Sequence, residues 1–388
     1  MKTIKDTNLE NKKVLVRCDF NVPLDEEGNI TDDFRIQQSL PTIKYLIEKK
    51  AKVILMSHLG KPGGKVVENL RLTPIKDRIE KYLNISVDKA DDCIGEEVKK
   101  KIEKMKEGDV LLLENLRFHS GEESNDLEFA RQLADLGDIY VNDAFGTCHR
   151  KHASIVGIPK FLPSFAGLLL KKELDAFSKV VLNPSRPLVV IIGGAKIESK
   201  IKVIKYFLKN SDHLLIGGKI ANSILIVKGV LLGRPWPDEE VVEEIKKFDL
   251  TSPNLHLPVD VLASPTETGK YGTRVSAPGR VRKDELLLDI GPETIKMFSK
   301  IIGLANTIIW AGPMGFFENP LFEKGTREIA EAIIKNQKAF KVAGGGDTIS
   351  ALRKFHLEKW FNHISTGGGA MLGFLAGEEL PGISALER

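Results

Sequence analysis

The stretch VAGGGDTISAL, residues 342–352, places three glycines between an apolar run and a segment with helical spacing. This order predicts a buried strand, a tight turn and the start of a helix. Glycine lets a ligand approach backbone N–H groups, and a helix N-terminus attracts anions. A near copy, STGGGAML, follows at 365–372. The stretch therefore predicts an α/β fold in which strand ends face an anionic ligand.

Apolar runs that end in small or polar residues recur along the chain, and amphipathic segments such as TREIAEAIIKN (326–336) separate them. The runs are rich in Val, Ile and Leu, which is typical of buried parallel strands. They are KKVLVRCDF (12–20), AKVILMSHLG (51–60), DVLLLENLRF (109–118), DIYVNDAFG (138–146), RPLVVIIGGAK (186–196), DHLLIGGK (212–219), NLHLPVDVLA (254–263), ANTIIWAGPMG (305–315) and KAFKVAGGGDT (338–348). The alternation predicts two doubly wound parallel-sheet, Rossmann-like α/β domains joined by a helix and hinge.

The polar residues at the strand ends differ between the two halves, which predicts two domains with two ligands. They are Arg, His, Asp and Asn in the first half, and glycine clusters with Lys and Asp in the second. Segment 165–183 has helical spacing and no strand, and NPSRP (183–187) ends it. We therefore predict an N-terminal domain at 1–164, a connecting helix at 165–183 and a C-terminal domain at 184–365.

Composition and charge are those of a globular enzyme of two ordinary domains. The 388 residues carry a formal net charge of +4, which is too small to predict a nucleic-acid or membrane-surface protein. Cys18, Cys93 and Cys148 have no CxxC or zinc-site spacing, so we expect reduced thiols that fill the core of a cytoplasmic protein. The N-terminus has no apolar signal region, and two lysines interrupt the most apolar stretch, 214–232.

Two glycine turns in the second half are candidate phosphate sites. IIGGAKIESK (191–200) predicts a strand, a turn and a helical segment with Lys196 and Lys200 on one face. By itself this motif is better explained as a tight turn with solvated lysines. Asp347 suits a helix N-cap or, beside a polyphosphate, a Mg²⁺ ligand, and Thr348 suits a donor to phosphate. Walker, GxGxxG and protein-kinase signatures do not occur, so a nucleotide site here belongs to another class.

Basic and polar residues follow the strands of the first half. Each one alone is explained as a surface charge or a satisfied core polar group. Arg is suited to bidentate contact with phosphate or carboxylate, and Asp and Asn to a hydroxyl. The cluster predicts a small, multiply anionic, hydroxylated ligand, and its members are Arg17, Asp19, Asn21, Arg35, His58, Arg117 and Arg150.

Nine motifs in fixed order resemble the phosphoglycerate kinase family. They are VRCDFNVP, SHLGKP, LLLENLRF, NDAFGTCHRKHAS, GGAKIESK, LDIGPET, WAGPMGFFE, GGGDT and STGGGA, and the resemblance runs from about residue 4 to the C-terminus. It implies reversible Mg²⁺-dependent phosphoryl transfer from 1,3-bisphosphoglycerate to ADP, giving 3-phosphoglycerate and ATP. It further implies a monomer, and a C-terminal segment at 366–388 that returns to the N-terminal domain.

The resemblance also implies the site residues. Asp19 and Asn21 would hold the glycerate hydroxyl and carboxylate region. His58, Arg117 and Arg150 would bind the 3-phosphate. The full substrate-binding set is Asp19, Phe20, Asn21, Arg35, His58, Leu59, Gly60, Lys61, Arg117 and Arg150, and the catalytic set is Arg35, Lys196 and Gly368.

For the nucleotide, the resemblance implies that Lys200 holds phosphate, Glu318 accepts from the ribose hydroxyls and Asp347 serves Mg²⁺. The full set is Gly193, Gly194, Ala195, Lys196, Lys200, Gly217, Gly218, Leu288, Pro313, Glu318, Gly344, Gly345, Gly346, Asp347 and Thr348. Three positions depart from the family pattern: Lys61 replaces the common Arg, Ala311 the usual Asn, and Lys219 the usual Gly. These changes concern ligand affinity more than the reaction.

Direct in-line transfer needs positioning and charge compensation but no side-chain base, because the attacking carboxylate is already ionised. Since water would waste an acyl phosphate, we expect an open form and a closed form that excludes water. Two alternatives stay open at this point. One is another acyl-phosphate kinase, and the other is a non-catalytic nucleotide-binding protein on the same fold.

Overall fold

The computed structural model describes residues 1–230 and 237–387. By the density of internal contacts the chain divides into two compact units, and the first consists of Met1–Asp175 with Glu379–Arg388. The second consists of Ala176–Glu378. No helix in the described ranges is long and apolar enough to cross a membrane, and the last residues of the apolar stretch 214–232 lie outside them.

The first unit contains one six-stranded parallel sheet, as the apolar runs predict. Its strands are β1 (Lys13–Arg17), β2 (Lys52–Met56), β3 (Asp88–Lys89), β4 (Val110–Leu112), β5 (Ile139–Asn142) and β6 (Ser164–Ala166). They lie in the order β3-β4-β2-β1-β5-β6. The strands β2 to β4 lie on one side of β1, and β5 and β6 lie on the other side, so the order in which strands are added reverses between β1 and β5. In sheets of this kind, ligands bind beyond the carboxyl ends of the strands near such a reversal.

Amphipathic helices cover this sheet. They are α1 (Phe34–Glu48), α2 (Thr73–Leu83), α3 (Glu96–Glu103), α4 (Ser120–Ser124) and α5 (Leu127–Ala134), and α6 (Leu168–Val181) begins in this unit. Local signals set their ends: the Asp126 carboxylate accepts from the Phe129 N–H at 2.7 Å to begin α5, and Asn84 in the left-handed region ends α2. Apolar side chains of the strands, such as Val14 and Val53, pack with Ile36 and Ile43 of α1 in one buried core.

The second unit contains a matching parallel sheet and a small antiparallel one. Its strands are β7 (Leu188–Ile192), β8 (His213–Ile216), β9 (Leu255–His256), β10 (Val261–Ser264), β11 (Arg274–Ser276), β12 (Leu286–Ile290), β13 (Thr307–Ala311), β14 (Phe340–Gly344) and β15 (His363–Ser365). The parallel sheet has the order β15-β14-β13-β7-β8-β9, with its reversal between β7 and β13. The antiparallel sheet has the order β11-β10-β12.

The helices of this unit complete the βα alternation around a core that includes Trp310, Phe298 and Ile191. They are α7 (Ile201–Asn210), α8 (Gly218–Val227), α9 (Glu239–Lys246), α10 (Pro292–Leu304), α11 (Lys324–Lys335), α12 (Gly346–Lys354) and α13 (Gly368–Leu375). The α/β class and the two parallel sheets predicted from the sequence are confirmed.

Two local predictions were wrong. The run at 254–263 is not one parallel strand, because Pro258 interrupts it and its two halves join different sheets as β9 and β10. Segment 165–183 does contain strand residues, since β6 ends at Ala166 and pairs with β5. A three-residue strand is too short to show a period in the sequence.

The last residues of the chain belong to the first unit. The short helix α14 (Pro381–Ser384) lies in this unit, where the Gly382 N–H donates to the Cys148 carbonyl at 2.9 Å. A Cβ on Gly382 would lie 2.9 Å from Cys148 Cα, so only glycine fits this contact. The division between the units falls within α6, between Asp175 and Ala176, rather than at the predicted boundary near 183.

Candidate active site

In the first unit, the predicted substrate residues follow the carboxyl ends of strands beside the sheet reversal. Asp19 and Asn21 follow β1, His58 follows β2 and Arg117 follows β4. Parallel strands bring these ends to one edge, which is why residues far apart in sequence meet there. Arg150 follows β5 and is half-buried.

Arg35 begins α1 and points to the loop after β1. Its Nη1 lies 3.0 Å from Asp19 Oδ2 and donates to the Asn21 carbonyl at 3.1 Å. The Asp19 side chain is almost fully buried, whereas that of Arg35 is 31% exposed. Arg35 is therefore oriented by protein contacts and still has guanidinium N–H groups for a ligand.

The loop after β2 is tied to its neighbours by backbone contacts. The Asn21 side-chain oxygen accepts from the Gly60 N–H at 2.9 Å, and Arg117 Nη1 donates to the Gly60 carbonyl at 2.7 Å. Asn115 accepts from the Leu59 N–H at 3.2 Å and returns a bond to the Leu59 carbonyl at 2.8 Å. Leu59 and Gly60 thus position this loop through their backbones.

Cationic side chains surround His58, which is itself almost fully buried. Its Nδ1 lies 3.2 Å from Arg17 Nη2. Burial, and then the positive charges of Arg17, Arg117 and further arginines, hold the pKa of His58 well below its usual range. A neutral imidazole beside several guanidinium groups leaves the net charge here to the arginines, which suits a phosphate.

Arg17 has a different environment from the one its sequence position suggests. It is fully buried, donates to Ser154 Oγ at 2.8 Å and to the Cys18 carbonyl, and lies 3.8 Å from Glu122 Oε1. These contacts make Arg17 a buried charged residue with a structural role rather than an exposed group that could bind a ligand. Sequence reasoning passed over His149, which is half-buried beside Arg150 and whose Nδ1 has no hydrogen-bond partner in the described part of the chain.

Two further predicted residues complete the first unit. The Phe20 N–H donates to Ser57 Oγ at 2.9 Å, and the Phe20 ring is fully buried. Phe20 therefore helps to fix the backbone of the loop after β1 and does not offer its side chain to a ligand. Lys61 is exposed beyond the loop. Its ammonium group is a point charge and does not offer the bidentate geometry of an arginine.

In the second unit, a cavity of about 220 Å³ opens at the strand ends beside the β7/β13 reversal. Its wall includes apolar side chains from the small antiparallel sheet and the turn after β13, and carboxylates at the rim. Predicted nucleotide residues that line it are Gly194, Ala195, Gly218, Leu288, Pro313, Glu318 and Asp347. Lys219 lines it too, exposed at the start of α8.

Lys196 and Lys200 do not share a helical face, so that prediction was wrong. Helix α7 begins only at Ile201, and both lysines lie in the irregular turn before it. Lys196 is exposed, whereas Lys200 is largely buried and its Nζ donates to the Gly193 carbonyl. Burial lowers the pKa of Lys200 to about 8, an effect that the Asp347 carboxylate opposes. The pKa of Lys200 therefore lies well below the usual lysine range.

The glycines predicted for the nucleotide site are required for different structural reasons. A Cβ on Gly217 would lie 2.6 Å from the Met314 sulfur, and one on Gly344 would collide with the Met371 sulfur. Gly218 has φ +62°, and its Cβ would lie 2.6 Å from the Gly194 nitrogen. A Cβ on Gly346 meets nothing within 4 Å. Internal packing thus explains most of these positions, and Gly346 has open space in front of it.

The turn after β14 carries the predicted metal residue. Asp347 is exposed in the first turn of α12, and its side chain makes no hydrogen bond with any other described residue. Carboxylate oxygen is what Mg²⁺ prefers, so the residues present fit this ion. Thr348 is fully buried and its hydroxyl accepts from the Gly312 N–H at 2.7 Å. Its backbone N–H lies in the first turn of α12, where N–H groups have no acceptor within the helix.

Asp289 is a cavity residue that sequence reasoning missed. Burial raises the pKa of its carboxyl to about 7, although it accepts N–H groups of Gly325 at 2.6 Å and Ile290 at 2.9 Å. A Cβ on Gly315 would collide with it, so Asp289 supports the turn that forms the cavity wall. The motif LDIGPET contained the signal, but nothing in the sequence separated its Asp from a surface carboxylate.

The comparisons with known proteins agree with this geometry. A family model described as "Phosphoglycerate kinase" matches residues 4–378. The chain belongs to the phosphoglycerate kinase family. Among curated relatives, the phosphoglycerate kinase of Dictyoglomus turgidum is 48% identical over 394 residues, covering 99% of this chain and 98% of the relative. That of Aquifex aeolicus is 46% identical over 388 residues, covering 98% and 96%.

Solved structures of the family have the same fold. The phosphoglycerate kinase from Coxiella burnetii matches with a TM-score of 0.86 and 37% identity, over 99% of this chain and 98% of that one. The one from Pyrococcus horikoshii OT3 matches with a TM-score of 0.89 and 34% identity, over 100% and 98%. The predicted family, the doubly wound fold and the kinase class are thereby confirmed.

Proposed function

We propose that this chain transfers a phosphoryl group directly between 1,3-bisphosphoglycerate and MgADP, giving 3-phosphoglycerate and MgATP. The observation that carries the proposal is the pair of strand-end sites. One presents guanidinium groups around a buried carboxylate, and the other presents glycine turns and a helix start beside a partly apolar cavity. The proposed role of each site residue rests on this chemistry and on the family motifs.

On the glycerate side, Arg117 and Arg150 compensate the charge of the 3-phosphate beside the neutral His58. Asp19 accepts a hydrogen bond from the glycerate hydroxyl, and Arg35 contacts the carboxyl end, where its exposed guanidinium edge is available. The negative charge on the transferring group is spread over three oxygens, so a cation that is held in place lowers the barrier. Arg35 is such a cation because Asp19 and Asn21 orient it.

On the nucleotide side, Lys200 and the N–H groups at the start of α12 hold phosphate oxygens, and Glu318 accepts from the ribose. Lys196, exposed in the turn after β7, follows the transferring phosphoryl group, and the start of α13 at Gly368 offers further N–H groups. Asp347 would hold Mg²⁺, which supplies charge compensation on the nucleotide phosphates. Direct transfer requires the two substrates to meet, so closure of the units remains part of the proposal.

An acyl-phosphate kinase for a substrate without a second phosphate is the main alternative. Arg117 and Arg150 beside the neutral His58 disfavour it, because two guanidinium groups around one loop suit a doubly charged ligand group. A monomeric cytoplasmic enzyme is part of our proposal. It is tested separately by sedimentation and by fractionation of the source cells.

A coupled assay of ATP with 3-phosphoglycerate and Mg²⁺ tests the activity. We expect turnover that EDTA abolishes and excess Mg²⁺ restores. Acetate, carbamate and acetylglutamate in place of 3-phosphoglycerate serve as the substrate panel. Turnover of one of these with none on 3-phosphoglycerate would establish the alternative, and no turnover on any substrate, 3-phosphoglycerate included, would overturn the proposal.

The Lys196→Ala variant tests the nucleotide-side assignment. Loss of a charge placed for the transition state should lower kcat by about 10²–10³-fold. Lys300→Ala removes an equally exposed lysine from α10 of the same unit and should leave kcat unchanged. Similar kcat values for the two variants would remove Lys196 from the mechanism.

A further inference from the structure

One side-chain cluster lies outside both sets of site residues. Asp92 and Cys93 follow β3, and His119 follows the turn after β4, so the parallel strands bring them together. One ligand atom from each residue lies within 4.8 Å of the other two. From the sequence, Cys93 was expected only to fill the core, because Cys18, Cys93 and Cys148 have no CxxC or zinc-site spacing.

Contacts within the cluster hold the potential ligand atoms in place. His119 Nε2 lies 2.6 Å from Asp92 Oδ1, and the Cys93 N–H donates to the same oxygen at 2.6 Å. The imidazole stacks on the Phe129 ring, with centroids 5.2 Å apart and planes at 25°. Ligands that are oriented before binding lose less conformational freedom when an ion arrives.

Burial gives the cluster a closed side and an open side. The Cys93 side chain is fully buried, whereas those of His119 and Asp92 are 31% and 52% exposed. An ion approaching from solvent therefore meets the carboxylate and the imidazole first and reaches the sulfur behind them. A fourth position toward solvent remains for water, as in open three-ligand metal sites.

We propose that Asp92, Cys93 and His119 form a binding site for a borderline-soft divalent cation, with Zn²⁺ the best fit. Thiolate and imidazole select Zn²⁺ and its neighbours, whereas Mg²⁺ and Ca²⁺ prefer oxygen alone. On binding, the Asp92–His119 hydrogen bond gives way to metal–oxygen and metal–nitrogen bonds; the proton on His119 Nε2 passes by way of solvent to Nδ1, and the thiol proton passes to solvent. The ion keeps its oxidation state throughout.

Metal binding to the whole chain tests this site without reference to activity. The EDTA-treated protein, in excess Mg²⁺ and without nucleotide, is titrated with Zn²⁺ against a chromophoric chelator. We expect about one Zn²⁺ per chain, and weakening by at least ~10-fold in His119→Gln and Asp92→Asn, since even indirect partners of a metal cost about 10–100-fold. Cys148→Ala and His356→Asn remove a cysteine and a histidine elsewhere and should bind like the wild type.

Co²⁺ provides a direct readout of the sulfur ligand. The wild type should show a near-ultraviolet sulfur-to-cobalt charge-transfer band, and Cys93→Ala should lack it. If Cys93→Ala does not fold, the surface variant His119→Gln decides: Zn²⁺ should raise the Tm of the wild type but not of this variant. Absence of Zn²⁺ binding, or equal binding in His119→Gln and wild type, would overturn the proposal.

Discussion

Lys200 predicts a pH dependence of nucleotide binding in the alkaline range. Its ammonium group is largely buried beside the Gly193 carbonyl, and burial lowers its pKa to about 8. In the proposed function a polyphosphate binds the protonated form. The sign follows directly: the charge is present below about pH 8, and affinity falls as the pH rises through that value.

The magnitude follows from the fraction of free protein that is protonated. With a pKa of about 8, roughly nine tenths of Lys200 is charged at about pH 7 and roughly one tenth at about pH 9. If bound phosphate keeps the group protonated, the Kd for MgADP rises about tenfold across this interval, equivalent to about 1.4 kcal/mol. Asp289 in the cavity wall has a pKa of about 7, so the lower end of the profile includes its ionisation.

Titration calorimetry of MgADP at several pH values measures the effect. Lys200→Gln, which cannot titrate, should bind more weakly at about pH 7 and show a flat profile between about pH 8 and 9. Lys300→Ala should keep the wild-type slope. A wild-type Kd that does not change between about pH 7 and 9, or a Lys200→Gln profile as steep as that of the wild type, would refute the assignment of Lys200.

Three further predictions concern residues whose roles the structure separates. Arg35→Lys should lower kcat more than it lowers the affinity for 3-phosphoglycerate, because the oriented guanidinium fork is replaced by a point charge. Arg131→Lys serves as the control. Equal losses of kcat and of affinity in Arg35→Lys would make Arg35 a plain binding residue. Gly344→Ala should lower the free energy of unfolding by about 1–3 kcal/mol, because the added Cβ clashes with Met371. Gly346→Ala should leave the free energy of unfolding unchanged and weaken MgADP binding. Chemical denaturation measures the first effect and calorimetry the second. Arg17→Leu should lower the free energy of unfolding by about 3–5 kcal/mol, because the buried Glu122 carboxylate loses its arginine partner and keeps Ser154 and His152 beside it. Denaturation curves should show that removing both Arg17 and Glu122 costs less.

The sequence by itself determined the class of fold and the family. Apolar runs such as those that form β1 and β7 are short, β-branched and closed by glycine or Asp, and this pattern depends only on local chemistry. The nine ordered motifs carried the family resemblance. Local pattern was insufficient where an element is very short, as at β6, or where Pro258 divides one apolar run between two sheets.

The tertiary structure alone decided what individual side chains do, because burial and contact depend on residues far away in the chain. Arg17 and Arg35 look alike in sequence, yet the first is enclosed with Glu122 and the second keeps an exposed edge. The opening glycines divide in the same way, since Gly344 is required by Met371 and Gly346 borders open space. Parallel pairing of distant strands sets these neighbours, and no local sequence pattern contains them.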